Sequence, residues 1–219
     1  MRPCAICSRG AGVRLSVASG TIDGDLAVPS GARGIVVFAH GSGSSRHSSR
    51  NQHVAAALQA DGFGTLLFDL LTDREEREDE RTRALRFDIG LLAERLTAVT
   101  DALADEPDAH GLPVGYFGAS TGAAAAIVAA AQRPGVRAIV SRGGRPDLAG
   151  DALPRTAAPT LLIVGSLDRE VLALNREARA RLRGPSELEV VHGAAHLFEE
   201  PGALDAVARL ASRHFARYL

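Results

Sequence analysis

The chain has no lysine and no tryptophan, only two cysteines, and no apolar stretch approaching membrane-spanning length. Each shortage removes a class of explanation. All 25 basic side chains are arginine, and against 26 acidic ones they leave a formal net charge of -1. That balance creates no field to gather nucleic acid or an anionic membrane, so a small-molecule partner is favoured over a polyanion. All-arginine usage, with abundant alanine and glycine, reads as coding bias of a GC-rich genome, so no arginine marks a site by its identity alone. A membrane helix needs roughly 20 apolar residues, and Met1 to Arg9 lacks the apolar core of a secretion signal. A soluble, cytoplasmic protein is the expectation.

The cysteines, Cys4 and Cys7, are spaced Cys-x-x-Cys. Zinc would need two more ligands at matching spacing, and a redox pair normally opens a helix after a strand. Here the pair falls in an expected N-terminal tail over residues 1–12, and no metal is assigned to it. The rest, 13–219, is long and apolar enough for one core, and one domain is expected.

Two short strands, Val13 to Val17 and Thr21 to Ala27, around Ser19-Gly20 read as an antiparallel hairpin. Continuous apolar runs then appear at Ile35 to Ala39, Thr65 to Phe68, Val114 to Phe117, Val136 to Val140 and Thr160 to Val164, as in strands buried on both faces. Helical spacing fills the gaps at Gln52 to Ala60, Phe87 to Ala104, Thr121 to Gln132 and Val171 to Arg183. After a last strand at Leu188 to Val191 it returns from Ala203 to Tyr218. This alternation predicts an α/β fold, a mostly parallel sheet of about eight strands with helices on both faces and the hairpin at one edge. The charged segment Asp73 to Arg83 is expected to be a solvated loop or fraying helical turn rather than a flap beside substrate.

The strongest local signal is Gly118-Ala119-Ser120-Thr121-Gly122, between the strand ending at Phe117 and the Ala-rich helix. A Gly-x-Ser-x-Gly turn presents its serine on a sharp strand-to-helix bend, the flanking glycines allowing close backbone approach. The helix N-terminus favours developing negative charge, so the N–H of Thr121 is a candidate oxyanion donor. Serine needs a base held in the right tautomer by an acid, and in this arrangement the chain order is Ser, acid, His. Asp168 lies in Gly165-Ser166-Leu167-Asp168 at a strand's carboxyl end; its competing role is a helix N-cap. Of the two nearby histidines, His192 directly follows the strand, whereas His196 lies further along a Gly-Ala loop able to carry it back over the sheet. His196 is therefore assigned as base.

A second oxyanion donor is expected from His40-Gly41-Ser42-Gly43-Ser44-Ser45, with the N–H of Ser42 favoured and His40 bracing the loop. That loop lacks both the lysine of a P-loop and the Gly-x-Gly-x-x-Gly of a dinucleotide fold.

Together with Phe38 to Ser44, Ser141-Arg142-Gly143-Gly144-Arg145-Pro146-Asp147-Leu148, Leu161 to Asp168 and Gly193 to Glu200, these segments resemble the α/β-hydrolase superfamily over nearly the whole chain. Within it they are similar to the dienelactone-hydrolase-like group of small, lidless bacterial hydrolases, members of which occur alone or fused to a phosphoribosyltransferase domain. The named dienelactone hydrolases use a cysteine nucleophile where this chain has Ser120.

The resemblance implies a cofactor-free serine hydrolase that cleaves a small carboxylic ester, thioester or lactone through an acyl-enzyme. Alternatives are acyl transfer or perhydrolysis by the same triad, or a non-catalytic binding module. Fewer than twenty residues separate the strand ending near Ser141 from Thr160, room for a short helix around Asp147 to Leu153 but not a cap domain. Arg142 and Arg145 are candidate ligands for a substrate carboxylate or phosphate, with pairing to Asp147, Glu199 or Glu200 as the competing role. Neither nucleic acid nor membrane is an expected partner, and oligomeric state is not readable.

Overall fold

The computed structural model describes residues 11–219, so Cys4 and Cys7 lie outside the described residues. The eight strands, β1 (Ala11–Val17), β2 (Gly20–Ala27), β3 (Ile35–Ala39), β4 (Gly64–Phe68), β5 (Val114–Ala119), β6 (Val136–Arg142), β7 (Thr160–Gly165) and β8 (Ser186–Val191), form one sheet in the order β1-β2-β4-β3-β5-β6-β7-β8. The hairpin β1–β2 joins antiparallel at one edge and β3 to β8 run parallel. β1 starts at Ala11, which takes Ala11 and Gly12 out of the expected tail.

Several strands outrun their apolar runs because the hydrogen-bond ladder continues: β5 reaches Ala119 and β6 reaches Arg142. α1 (Ser49–Ala60) and α6 (Ala203–Tyr218) pack on one face, where Val54, Leu58, Val207 and Phe215 meet Phe38, Phe117 and Val140. α3 (Ile89–Ala102), α4 (Thr121–Gln132) and α5 (Arg169–Arg181) cover the other. The alanines of α4 are almost all buried, and their small side chains let this helix lie close under the sheet. The connection from β6 to β7 carries only the 3-10 segment Pro146–Arg155 and no cap domain. Among the described residues no helix is long and apolar enough to cross a membrane.

The charged segment departs from expectation. Asp73–Thr82 is a helix, α2, closed at its start by a capping box in which the Thr72 N–H donates to Glu75 Oε2 (2.9 Å) and the Glu75 N–H to Thr72 Oγ1 (3.4 Å). Glu75 and Asp79 lie four residues apart, hence on one face, and that face turns inward. Glu75 accepts from the buried Arg95 (2.6 Å) and Asp79 from Arg86 Nε (2.5 Å). The run is an amphipathic helix whose buried face is ionic. Its next residues also shorten the expected helix that follows: α3 starts at Ile89 behind Asp88 as N-cap, leaving Phe87 outside and 56% exposed.

Candidate active site

β5 runs into Ser120, whose backbone adopts φ 50° and ψ -120°. A non-glycine residue so placed is strained, and such strain persists only where its surroundings over-determine it. Those surroundings are visible. The Ser120 N–H donates to the Arg142 carbonyl (3.3 Å), and the Ser120 carbonyl accepts from Ala123 (3.1 Å) and Arg145 (3.0 Å). On the far side of the turn a methyl group on Gly122 would stand 2.2 Å from the carbonyl oxygen of Ala39. Only glycine permits that contact between the nucleophile turn and the end of β3.

Asp168 occupies the N-cap position of α5, yet its side chain makes no capping bond. Its Oδ2 instead lies 2.6 Å from His196 Nδ1, with the carboxylate side chain 15% exposed. Loops after β7 and β8 thus bring together two residues 28 positions apart. The β8 loop is seated by Ala194, buried and accepting from the Leu167 N–H (3.0 Å), and by Glu200, which accepts from the Ala195 N–H (3.0 Å). The imidazole lies beside the β6 loop: a methyl on Gly143 would be 3.6 Å from His196 Cε1. Since Gly143 directly follows the residue that holds the Ser120 N–H, this loop is the bridge between the serine and the His196–Asp168 pair. Among the described residues no hydrogen bond joins Ser120 Oγ to His196 in this resting arrangement; such contacts commonly tighten only with substrate bound. His192 is exposed and faces α6 near Asp61 and Arg209, away from Ser120.

The two expected oxyanion donors differ in what their N–H groups meet. Thr121 opens α4, where first-turn N–H groups have no partner within the helix. The Ser42 N–H is not free: it donates to Thr121 Oγ1 at 2.9 Å. The loop does lie directly over the nucleophile, since a methyl on Gly41 would be 3.1 Å from Ser120 Cβ. His40 braces it, with Nε2 accepting from the Leu70 N–H (3.1 Å), so Nδ1 carries the proton and donates to the Gly41 carbonyl (3.0 Å). Burial lowers the His40 pKa, opposed by the Gly41 bond and Asp69, and keeps this tautomer neutral. α2 closes the other flank, where Glu76 and Arg86 line a small recess with Ser42, Gly43, Leu71 and Leu92.

The two candidate anion ligands part company. Arg145 is held by Asp147 in a two-pronged pair, Nε to Oδ1 at 2.9 Å and Nη2 to Oδ2 at 2.8 Å. That pair raises its pKa and commits its fork to fixing the loop, so Arg145 is withdrawn as a substrate ligand. Arg142 is instead the last residue of β6, 8% exposed, and takes neither Asp147, Glu199 nor Glu200 as an ion-pair partner.

Comparison with known proteins identifies the family. Residues 32–212 match the alpha/beta hydrolase domain family, and the chain belongs to that family. A crystal structure of dienelactone hydrolase from Anabaena variabilis superposes with a TM-score of 0.94 at 58% identity, covering 96% of this chain and 98% of that one. The Pyrococcus furiosus esterase Pf2001 shares the fold at a TM-score of 0.77 and 16% identity, over 95% of this chain and 92% of that one. Two proteins from strains of Mycobacterium tuberculosis, whose names carry the words phosphoribosyl transferase, are 62% identical over 199 residues. The match takes in 90% of this chain but only 44% of theirs, so the chain spans less than half the length of those relatives.

Proposed function

We propose that the chain is a serine hydrolase that cleaves a small carboxylic ester, thioester or lactone inside the cell, with Ser120 as nucleophile, His196 as base and Asp168 as the orienting acid. The 2.6 Å contact of Asp168 Oδ2 with His196 Nδ1 carries this reading. That contact fixes the Nδ1–H tautomer and leaves Nε2 as the lone-pair nitrogen able to take a proton. In the first step Ser120 Oγ bonds to the substrate carbonyl carbon while its proton passes to His196. The carbonyl oxygen becomes an oxyanion facing the N–H of Thr121, and Asp168 stabilises the imidazolium. Collapse expels the alcohol or thiol, which takes the proton from His196. Water then attacks the acyl-enzyme by the same path and frees Ser120. The strained turn at Ser120 and the bare β6–β7 connection support this assignment, favouring an open site for compact substrates.

The test is labelling with a fluorophosphonate probe alongside hydrolysis of short p-nitrophenyl esters. Labelling of the native chain, lost in Ser120→Ala and strongly reduced in His196→Ala, is the expected result. A folded native chain that neither labels nor turns over these esters refutes the assignment.

A further inference from the structure

α5 carries a polar side chain where its packing calls for an apolar one. Val171, Asn175 and Ala178 form the buried stripe of this helix, at the three- and four-residue spacing of a face turned to the interior. Asn175 is fully buried, and asparagine is a weaker helix former than leucine or alanine. Its Oδ1 is buried and has no hydrogen-bond partner among the described residues, a cost that leucine would not carry. The amide nitrogen is the atom engaged. Nδ2 donates to the Val171 carbonyl of its own helix (2.8 Å) and to the Gly144 carbonyl (2.9 Å), 31 residues away.

Gly144 belongs to the loop that joins the two halves of the site. A methyl group there would collide with Ser141 Oγ and with Ala123 Cβ in the first turn of α4, so the loop has no slack on that side. Before it, Gly143 donates its N–H to the Ile163 carbonyl (2.8 Å) and lies against the His196 ring. After it, the Arg145 N–H holds the Ser120 carbonyl at 3.0 Å. Asn175 stands about two helical turns beyond Asp168, on the helix that Asp168 opens without capping it. The Asn175–Gly144 bond therefore ties the helix of the acid to the loop that holds the nucleophile. Because no hydrogen bond joins Ser120 Oγ to His196 at rest among the described residues, the backbone has to supply their alignment.

We propose that Asn175 is a positioning residue. By holding Gly144 against α5 it sets the separation between Ser120 and the His196–Asp168 pair, and it touches neither substrate nor the reacting atoms. This rests on the assignment of Ser120, His196 and Asp168 given above.

The experiment measures kcat and KM on a p-nitrophenyl ester, and the rate of Ser120 labelling by a fluorophosphonate, for the native chain, Asn175→Leu and Asn175→Asp. Melting temperatures are taken at each pH, and assays are run below the lowest of them. Asn175→Leu keeps the branched shape and removes the donor. Its kcat and labelling rate should fall together by about a hundredfold, the scale of a misplacement of reacting groups by about 1 Å, with KM within about twofold of native. Asn175→Asp is the conservative variant and adds a pH signature. Protonated, its carboxyl donates to a carbonyl as Nδ2 does; ionised, it has no donor and sets negative charge against two carbonyl oxygens. Burial favours the neutral acid. Relative to native at the same pH, its kcat should be close to native at about pH 5.5 and lower by about tenfold or more at about pH 9.

A purely structural asparagine would alter the melting temperature and leave kcat of the folded variants and its pH profile unmoved. A native kcat in folded Asn175→Leu overturns the proposal, as does an Asn175→Asp to native ratio that stays flat across this pH range. A loss carried by KM overturns it too, by placing Asn175 in substrate binding. If Asn175→Leu does not fold, the Asn175→Asp profile decides alone. A native chain without Ser120-dependent turnover refutes the hydrolase assignment and the proposal with it, whereas an active native chain with indifferent variants refutes the positioning role alone.

Discussion

Replacing Arg95 with methionine removes the cation that neutralises the inner face of α2. The Arg95 side chain is 3% exposed and its Nη2 reaches Glu75 Oε1 at 2.6 Å and Ser19 Oγ at 2.5 Å. Methionine fills much of the same volume but leaves the Glu75 carboxylate, itself 11% exposed, without its charge partner. Breaking one side of a buried pair costs about 3–5 kcal/mol. In a domain of this size 1 kcal/mol moves Tm by about 2–4 °C, so the expected fall at pH 7 is about 6–20 °C.

The pH dependence gives an internal control. Burial pushes the Glu75 pKa up, but hydrogen bonds from Thr72 and Ser19 and the charge of Arg95 outweigh it and hold the carboxyl below its ordinary value. A group with a depressed folded pKa stabilises above its unfolded value, about 4.3 for glutamate, and that contribution fades as pH falls through the folded value. The deficit of Arg95→Met should therefore shrink at pH 4, where the orphaned carboxyl protonates. Adding Glu75→Gln, which keeps the capping box, should recover more than half of it at pH 7. Thermal melts followed by circular dichroism at both pH values decide the matter. A Tm change under about 2 °C, or a deficit as large at pH 4 as at pH 7, refutes the reasoning.

Three further outcomes follow from the site. Asp168→Asn should lower kcat by roughly 10⁴ through the wrong histidine tautomer while leaving Tm nearly unchanged; a native rate would remove Asp168 from the mechanism. Thr121→Val deletes the hydroxyl that holds the Ser42 N–H and should cut kcat by about tenfold or more, with Thr121→Ser retaining most activity. A native rate in the valine variant would show that the hydroxyl is dispensable to the oxyanion site. Burial first of all lowers the pKa of His40 and of His214, so the unfolded chain, protonating near about 6.5, binds protons that the folded one does not. Stability is then complete above about pH 6.5 and declines as pH falls below it, and a Tm profile flat from pH 8 to 5 would contradict this.

The strand cores and the mostly parallel character of the sheet were legible because apolar runs of five or so residues can be buried on both faces only in a covered parallel sheet. Where they end was less so: β6 runs on through Ser141 to Arg142, polar residues paired by the backbone regardless of side chain. α2 was misread for a different reason. Its composition is that of a solvated segment, yet Thr72-Asp73-Arg74-Glu75 is a capping-box sequence and Glu75 and Asp79 have helical spacing, signals that outweigh bulk charge.

The placements of Ser120, Asp168 and His196 could be argued from motif and chain order, but the donation of the Ser42 N–H to Thr121 depends on one side-chain rotamer across 79 residues. The closeness of Arg50 to Arg142 gave no signal at all, because it joins a helix and a strand far apart in sequence.

β8 has one further consequence. It is an edge strand, paired among the described residues only with β7, and Glu187 and Glu189 face solvent where another chain could otherwise add to the edge. The imidazole therefore hangs from an edge strand, whereas the serine is anchored on a central one. Edges of a sheet open at lower free energy than its middle. Warming should separate base from nucleophile while most of the core is still packed, so activity should disappear at a lower temperature than helical content and recover fully on cooling from that interval.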